Sequence, residues 1–439
     1  MSVRHENVKW VDGLRGLASL LVVSTHIARA FDEDLFRPTT APDLPPRVMQ
    51  YPFLRVLVQG RIGVSIFSLV TGYVCALKPI RQCRAGKPDE AFVSISKSAF
   101  RRIPRLVLPT SIATTIIWFI CQFGVFEVAN RAEGWWLNYT SPNITPMIGE
   151  AIKSLIYHLI TTWTRSWNIY DPNQWTLLPL LKGAFLIYVM LFATAYVKAR
   201  YRMMVELAMF VYYYISNDSA FGMQFFFGAF LCDLSQHPGH VAWLASRKWP
   251  GRVLSPLLII FGLYLASYPE LNPDFMPWSN YMLQTSFLIF PKEAEIPRFY
   301  TGIGLLFIAL GIHFSTFVKN VLSSQHLLWF GKNSFAVYLL HGTLLRTLLV
   351  WMYFGIHTPP DIINEQGQPA PGPPLKLCGR ARFWFWLPIW LVILYSIANL
   401  WTKHVDPWCA RLTQKIEKYV FDDGKDEVEK NNLLSPLPR

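Results

Sequence analysis

The sequence predicts an all-α protein, a polytopic transmembrane helical bundle of about ten spans. Three observations predict it. The 439 residues are 52% hydrophobic and 15% aromatic but only 16% charged, where a soluble chain of this size carries about a quarter charged residues. Apolar stretches approaching the roughly 20 residues needed to span a bilayer recur along the chain. The basic residues gather in short segments between those stretches, as the positive-inside rule expects. That distribution accounts for the net charge of +13 without nucleic acid as a partner, and points to membrane lipids instead.

Taken in order, residues 1–10 are a short polar lead, and the first span covers about residues 14–31. It carries Arg15 and His26 and no clear small-residue cleavage site follows it, which argues against a cleaved signal peptide. A Pro-rich loop precedes the second span at 60–77, whose glycines and serines permit close helix packing. The most basic stretch follows, Lys78 to Arg105 with Arg81, Arg84, Lys87, Lys97, Arg101 and Arg102 between. It reads as a cytoplasmic loop, which puts the amino terminus on the same side.

The third span, 103–126, then runs outward. Residues 127–174 lie across the membrane, in agreement with the sequons Asn138-Tyr139-Thr140 and Asn143-Ile144-Thr145. Within that segment 148–163 reads as an amphipathic interfacial helix. Further spans fall at 176–197, 203–215, 221–234, 253–268, 300–318, 334–354 and 383–402. Those at 203–215 and 221–234 have only 13 and 14 residues. The basic stretch 376–382 lies on the outer side of this scheme and runs against it. Residues 403–439 read as a polar, loosely ordered cytoplasmic tail after a domain covering 1–402. The whole is an integral, multi-pass protein of an endomembrane or the plasma membrane.

Chemistry is sought first in the opening span, because an apolar helix in lipid excludes ionisable groups unless they face a cavity or a partner. Arg15 and His26 are eleven residues apart, so they share a helix face, roughly 16 Å apart along the axis. The bland alternative is that Arg15 snorkels to the surface and His26 bonds a neighbouring helix. The six cysteines are scattered with no Cys-x-x-Cys pair, which implies neither a disulfide framework nor a zinc site. His237 and His240 have no third ligand nearby in sequence, and no metal is expected.

Four stretches in order carry a resemblance. They are Asp12-Gly13-Leu14-Arg15-Gly16-Leu17-Ala18 followed by His26; Gly63-Val64-Ser65-Ile66-Phe67 running into Thr71-Gly72-Tyr73; Arg101-Arg102-Ile103-Pro104-Arg105-Leu106; and Phe330 to Gly342, with Tyr338 and His341. Together they resemble the acyltransferase 3 family of polytopic membrane acyltransferases, over about residues 8–401. The first matches the family's Arg-x10-His signature, the third its Arg-x-x-Arg motif at Arg102 and Arg105, and the fourth its late Tyr-Leu-x-His element. The stretch Gln174-Trp175-Thr176 looks like the family's Trp-Thr/Ser stretch. Two departures stand out: Ser65 occupies a position where the family usually has Asp, and Leu180 one where it commonly has Glu.

The resemblance implies a transferase moving an acyl group, perhaps acetyl, from acyl-CoA to a hydroxyl of a small-molecule, natural-product, lipid or carbohydrate acceptor. The loops resemble those of fungal members, whose acceptors are often secondary metabolites. Acyl-CoA is a co-substrate, and no cofactor is expected. An alcohol attacks a thioester only as a base removes its proton, and an imidazole suits that task near neutral pH. His26 is the expected base, with Arg15 on the same helix face as a second catalytic group that holds the donor or stabilises charge in the site. Arg102 and Arg105 are expected to hold donor phosphates, since a guanidinium fork matches them. His341, Tyr338 and Trp175 are expected to line the site. The rival readings are a transporter with an Arg15–His26–His341 pathway, though the halves show no repeat, and a non-catalytic relative suggested by Ser65 and Leu180.

Overall fold

In the computed structural model, residues 3–363 and 368–421 are described, and they are helical almost throughout. The helices are α1 (Val3–Phe31), α2 (Arg61–Arg84), α3 (Pro88–Cys121), α4 (Glu127–Asn130), α5 (Trp135–Thr140), α6 (Ile148–Thr164), α7 (Leu177–Ala193), α8 (Ala199–Ile215) and α9 (Gly222–Ser235). There follow α10 (Pro238–Ser246), α11 (Ser255–Ala266), α12 (Pro277–Ile289), α13 (Ile296–Phe314), α14 (Thr316–Leu322), α15 (Gln325–Leu344), α16 (Val350–Phe354) and α17 (Arg380–Val420). A two-stranded antiparallel ribbon, β1 (Ile362–Ile363) with β2 (Pro369–Ala370), sits in the loop before α17.

The all-α expectation holds, and the span count is revised. Seven helical segments among the described residues are long and apolar enough to cross a membrane, and an eighth is if α10 and α11, bent by 83° at their junction, form one span. The segments read as spans at 203–215 and 221–234 are helices α8 and α9, with 17 and 14 residues; both fall below spanning length.

The expected loop 78–105 is not a loop. Lys78 to Arg84 finish α2, and α3 begins at Pro88 rather than near 103. Proline at the first helical position followed by Asp89 and Glu90 is a helix start that suits both the backbone and the dipole. Hydropathy misses it because the first turns of α3 are polar. Likewise α15 starts at Gln325, nine residues before the apolar run read from the sequence. The tail read as loosely ordered from residue 403 is helical to Val420, because α17 continues unbroken. Glu417 near its end accepts two hydrogen bonds from Arg101 of α3, each 2.6 Å. Residues 422–439 lie outside the described residues.

Glycine sets how closely the helices approach. A Cβ on Gly228 of α9 would sit 2.1 Å from the Leu69 carbonyl oxygen of α2, and one on Gly304 of α13 2.5 Å from the Gly262 carbonyl oxygen of α11. The same device joins α1 to α15. Gly16 lies against Leu327 and Gly331, and Gly331 against the Asp12 carbonyl, where a Cβ would come within 2.0 Å, while Gly13 lies against Leu322 at the end of α14. Arg15 pairs with Ser334 and His26 with His341, so the numbers rise together and α1 and α15 run parallel, in backbone contact. Small residues that let backbones approach are the usual adhesive between helices in lipid. Trp390 of α17, fully buried, locks the far side of α15 by donating from Nε1 to the Leu344 carbonyl at 3.0 Å.

Two outcomes follow. Gly331→Val must push α1 and α15 apart and is expected to cost about 1–3 kcal/mol, the range for overpacking a tight contact, read as a lower midpoint in detergent thermal unfolding. An unchanged midpoint would mean that the two backbones do not touch. Asn138 and Arg84 sit toward opposite ends of α2, so glycosylation mapping and cysteine labelling are expected to find them on opposite sides of the membrane; labelling from one side would overturn that placement.

Candidate functional site

Because α1 and α15 run parallel in contact, the polar side chains they share fall opposite one another. His26 Nδ1 lies 2.8 Å from His341 Nε2, and the two rings are inclined by 24° at a 5.0 Å centroid separation. On its other side the His26 ring stacks against Trp136 at 5.3 Å. His341 is fully buried, and its Nδ1 stands 2.9 Å from both the Val337 and Tyr338 carbonyl oxygens.

These contacts determine the tautomers. A carbonyl oxygen only accepts, so His341 Nδ1 carries the hydrogen and its Nε2 holds a lone pair. His26 Nδ1 must then donate to that lone pair. The remaining nitrogen of neutral His26, Nε2, is left with its own lone pair. If His26 takes a proton there, its Nδ1–H still donates to His341, so the pair accommodates both protonation states of His26 unchanged.

His26 faces a cavity of about 350 Å³. One side is α5 with Trp135, Trp136 and Tyr139; another is the one-turn segment before α7, with Asn173, Trp175 and Thr176; Ser65 and Arg61 come from α2, and Arg298 from α13. The mouth is marked by its exposed members, Trp135 and Tyr139. Tyr338 also lines the cavity, but its hydroxyl is committed. It donates to the Asn173 carbonyl and therefore accepts from Thr176 Oγ1 at 2.8 Å.

The segment before α7 is held from behind. Asp171 caps it, its Oδ1 accepting from the Asn173 backbone N–H at 3.3 Å and side-chain Nδ2 at 3.1 Å. Gly342 leaves the room, since a Cβ there would meet Asn173 Nδ2 at 2.1 Å. Fully buried Arg346 donates to the carbonyls of Gly342 at 3.1 Å, Tyr170 at 2.8 Å, and Thr140, and its Nη2 is 4.0 Å from Asp171 Oδ1. Burial pushes the Asp171 carboxyl up to about 6 against the opposing pull of Arg346.

A chain of ion pairs forms the remaining wall. Arg29 Nη2 donates to both Glu270 oxygens at 2.8 and 2.6 Å, and Arg61 meets the same carboxylate at 2.7 Å. Arg61 also pairs with Glu295 at 2.7 Å, and Arg298 Nε with the other Glu295 oxygen at 2.9 Å. Arg298 in turn lies over the Trp175 ring, 5.5 Å from its centroid. Burial would raise the Glu270 carboxyl, but the bonds and charges of Arg61 and Arg29 outweigh it and hold it below the usual glutamate range.

The seven residues singled out in the sequence thus fall in two places. His26, Tyr338 and Trp175 line the cavity, and His341 stands directly behind His26. Arg15, Arg102 and Arg105 are not on it. Arg15 donates to Asp12 Oδ1 and Ser334 Oγ, each at 3.4 Å, nearer the basic end of the bundle. Arg102 donates from Nη2 to Thr71 Oγ1 at 3.3 Å, its Nε is buried without a partner, and Arg105 is exposed. Ser65 is at the cavity and Leu180 is not among its lining residues.

Sequence reasoning missed Arg346, Asp171, Asn173 and the arginine–glutamate wall. Arg346 had a usable signal, a lone arginine five residues after His341 in an apolar run. The wall had none, since its members come from four distant segments.

A family model described as an acyltransferase domain, the acyltransferase 3 model, matches residues 8–402. Among named proteins, the chain is 25% identical over 374 residues to the O-acetyltransferase PaAT-1 of Phomopsis amygdali, covering 78% of this chain and 73% of that one. It is 22% identical over 396 residues to acyltransferase R4 of a Phoma species (76% of this chain, 82% of the relative). It is 22% identical over 394 residues to acyltransferase clz18 of Cochliobolus lunatus, with the same two coverages, 76% and 82%. No solved structure matches the chain.

Proposed function

The chain belongs to the acyltransferase 3 family and is a membrane acyltransferase of groups other than amino-acyl groups, and from that premise we propose that it carries an acyl group, acetyl first, from acyl-CoA to the hydroxyl of a small-molecule, natural-product, lipid or carbohydrate acceptor. The observation that carries this reading is His26 itself, which lines the cavity and whose bond to His341 through Nδ1 leaves Nε2 as the nitrogen with a free lone pair. The membership also sets aside the transporter reading.

In the proposed reaction the acceptor hydroxyl sits in the cavity with its proton toward His26 Nε2. As its oxygen attacks the thioester carbonyl carbon, the proton passes to Nε2 and a tetrahedral intermediate forms. The C–S bond then breaks, the proton returns from the imidazolium to the departing CoA sulfur, and the ester is left. A base so placed is worth about 10²–10⁴-fold in rate. His341 acts as a positioning residue. Its own Nδ1–H is anchored on the backbone carbonyls of α15, so its Nε2 offers His26 an acceptor and favours the charged form that develops during attack.

The donor is assigned to the basic end. Arg102 has an unused buried Nε, and Arg15 is close enough to feel its charge; guanidinium forks suit phosphate oxygens. Arg15 lies about three turns, roughly 16 Å, from His26, so the donor's phosphates and its thioester would occupy different levels of the bundle. The acceptor enters by the Trp135–Tyr139 mouth. PaAT-1 is an O-acetyltransferase by name, which supports acetyl as the group and oxygen as the acceptor atom. Residence in several-spanning form in an endomembrane or the plasma membrane belongs to the same proposal.

His26→Gln keeps polarity and hydrogen-bonding capacity without a base, and kcat is expected to fall at least about 10²-fold with the protein still folded; near-normal transfer would remove the base assignment. His341→Ala is expected to lower kcat by roughly tenfold or more, leave the KM for acyl-CoA in place, and move the acid limb of the pH–rate profile to lower pH as the imidazolium loses its acceptor. A merely structural histidine would not move that limb. Arg102→Ala is expected to raise the KM for acyl-CoA by about tenfold, the loss of one charged hydrogen bond, with Lys restoring only part; unchanged donor kinetics would make Arg102 a topology anchor.

A further inference from the structure

The cavity wall opposite the aromatic side has an uneven charge. Three arginines, Arg29, Arg61 and Arg298, line the cavity, and no aspartate or glutamate does. The two carboxylates that pair with them, Glu270 and Glu295, stand behind. Glu270 is consumed by Arg29 and Arg61, and Glu295 by Arg61 and Arg298. Three guanidiniums against two carboxylates leave one positive charge over.

The surplus falls on the two arginines that keep nitrogens unspent: Arg29, which bonds Glu270 through Nη2 alone and lies over the Phe36 ring at 4.5 Å, and Arg298. Arg61 spends its Nε and both terminal nitrogens on glutamate. Arg298 spends only Nε, on Glu295, and its plane is steadied over the Trp175 ring. Its two terminal nitrogens form a fork with no hydrogen-bond partner among the described residues, on a side chain that lines the cavity and is 41% exposed. A fork held by its Nε on one side and an aromatic face on the other is pre-ordered to take two oxygens of one anion. The cavity between that fork and His26 is walled by Trp135, Trp136 and Trp175, which favour a flat apolar body, and its volume is at the low end of small-molecule sites.

We infer that this cavity selects an acceptor with an apolar, ring-like body and an oxyanion, a carboxylate by preference, which Arg298 grips while the acceptor's hydroxyl reaches His26. The inference rests on the acyl-transfer reading of the same cavity. It excludes cationic acceptors, which the surplus charge repels, and it disfavours neutral sugars, which would leave the fork unpaired and meet indole faces on the other side. Acyl-CoA also carries oxyanions, but its phosphates are assigned to the basic end, and a cavity of about 350 Å³ takes an acceptor and a thioester end rather than a nucleotide.

The test uses purified full-length protein in detergent and a matched pair of probes, 6-(hydroxymethyl)-2-naphthoate and its methyl ester. Binding is followed by quenching of tryptophan fluorescence, and transfer by labelled acetyl-CoA. The acid is expected to bind about tenfold more tightly than the ester, the worth of one charged fork. Arg298→Gln is expected to bring the two affinities together, and Arg298→Lys to restore part of the difference. Equal binding of acid and ester, no binding of either, or an acid preference that survives Arg298→Gln would overturn the inference. If Arg298→Gln instead raises the KM for acetyl-CoA, the fork serves the donor and the inference also fails. His26→Gln separates the two readings: loss of transfer with the acid preference intact is expected, whereas retained transfer would sink the base assignment and leave the acceptor site standing.

Discussion

The bond between His26 and His341 depends on how closely α1 and α15 approach, and most of the cavity depends on that bond. An imidazole on one helix reaches an imidazole on a parallel neighbour at 2.8 Å only where the backbones nearly touch. The glycines at 16 and 331 allow it. The Asp-Gly-x-Arg-Gly stretch is therefore as much a packing surface as a source of side chains. The same contact turns Arg15 toward Ser334 and sets His341, whose Nδ1 is already spent on the helix backbone, as the only partner for His26 Nδ1 among its recorded hydrogen bonds. A backbone contact thus decides which nitrogen of His26 is available for chemistry.

Burying so many polar groups is costly, and the structure offsets part of that cost by completing many of their bonds. An unpaired buried guanidinium costs several kcal/mol. Arg346 avoids that by donating to three carbonyls with Asp171 close by. In doing so it ties the end of α5 and the segment before α7 to the helix that carries His341. Tyr338, Thr176 and Asn173 close a second circuit in front of it. The cavity wall is consequently held by hydrogen bonds from behind, while His26 and Arg298, which line the cavity, keep nitrogens unspent on the protein.

The bundle keeps its two kinds of positive charge apart. At the basic end arginines emerge from α2, α3 and α8 into polar surroundings, and Arg102 retains an unused donor. At the cavity end each arginine bonds a glutamate, and Arg29 and Arg298 keep nitrogens that no glutamate takes. On the proposed reading, a bulky anionic donor and a smaller acceptor approach the same imidazole from different levels, and neither site needs to admit the other's ligand.

The sequence by itself determined the all-helical class and the family, and it singled out Arg15, His26, Arg102, Arg105, His341, Tyr338 and Trp175 as residues to place. Hydropathy and residue spacing are local properties, and these readings need nothing else. It could not set helix ends where polar turns extend an apolar span, as at Pro88, Gln325 and Val420, because helices outlast their hydrophobic stretches once other helices hold them. Nor could it bring Arg29, Arg61, Glu270, Glu295 and Arg298 together, join His26 to His341, or send Arg15 and the Arg102–Arg105 pair away from the cavity. Those are matters of which helices are neighbours and how closely they approach. They are decided by helix contacts, glycine contacts among them, between segments up to 319 residues apart in the chain, a distance over which no spacing rule operates.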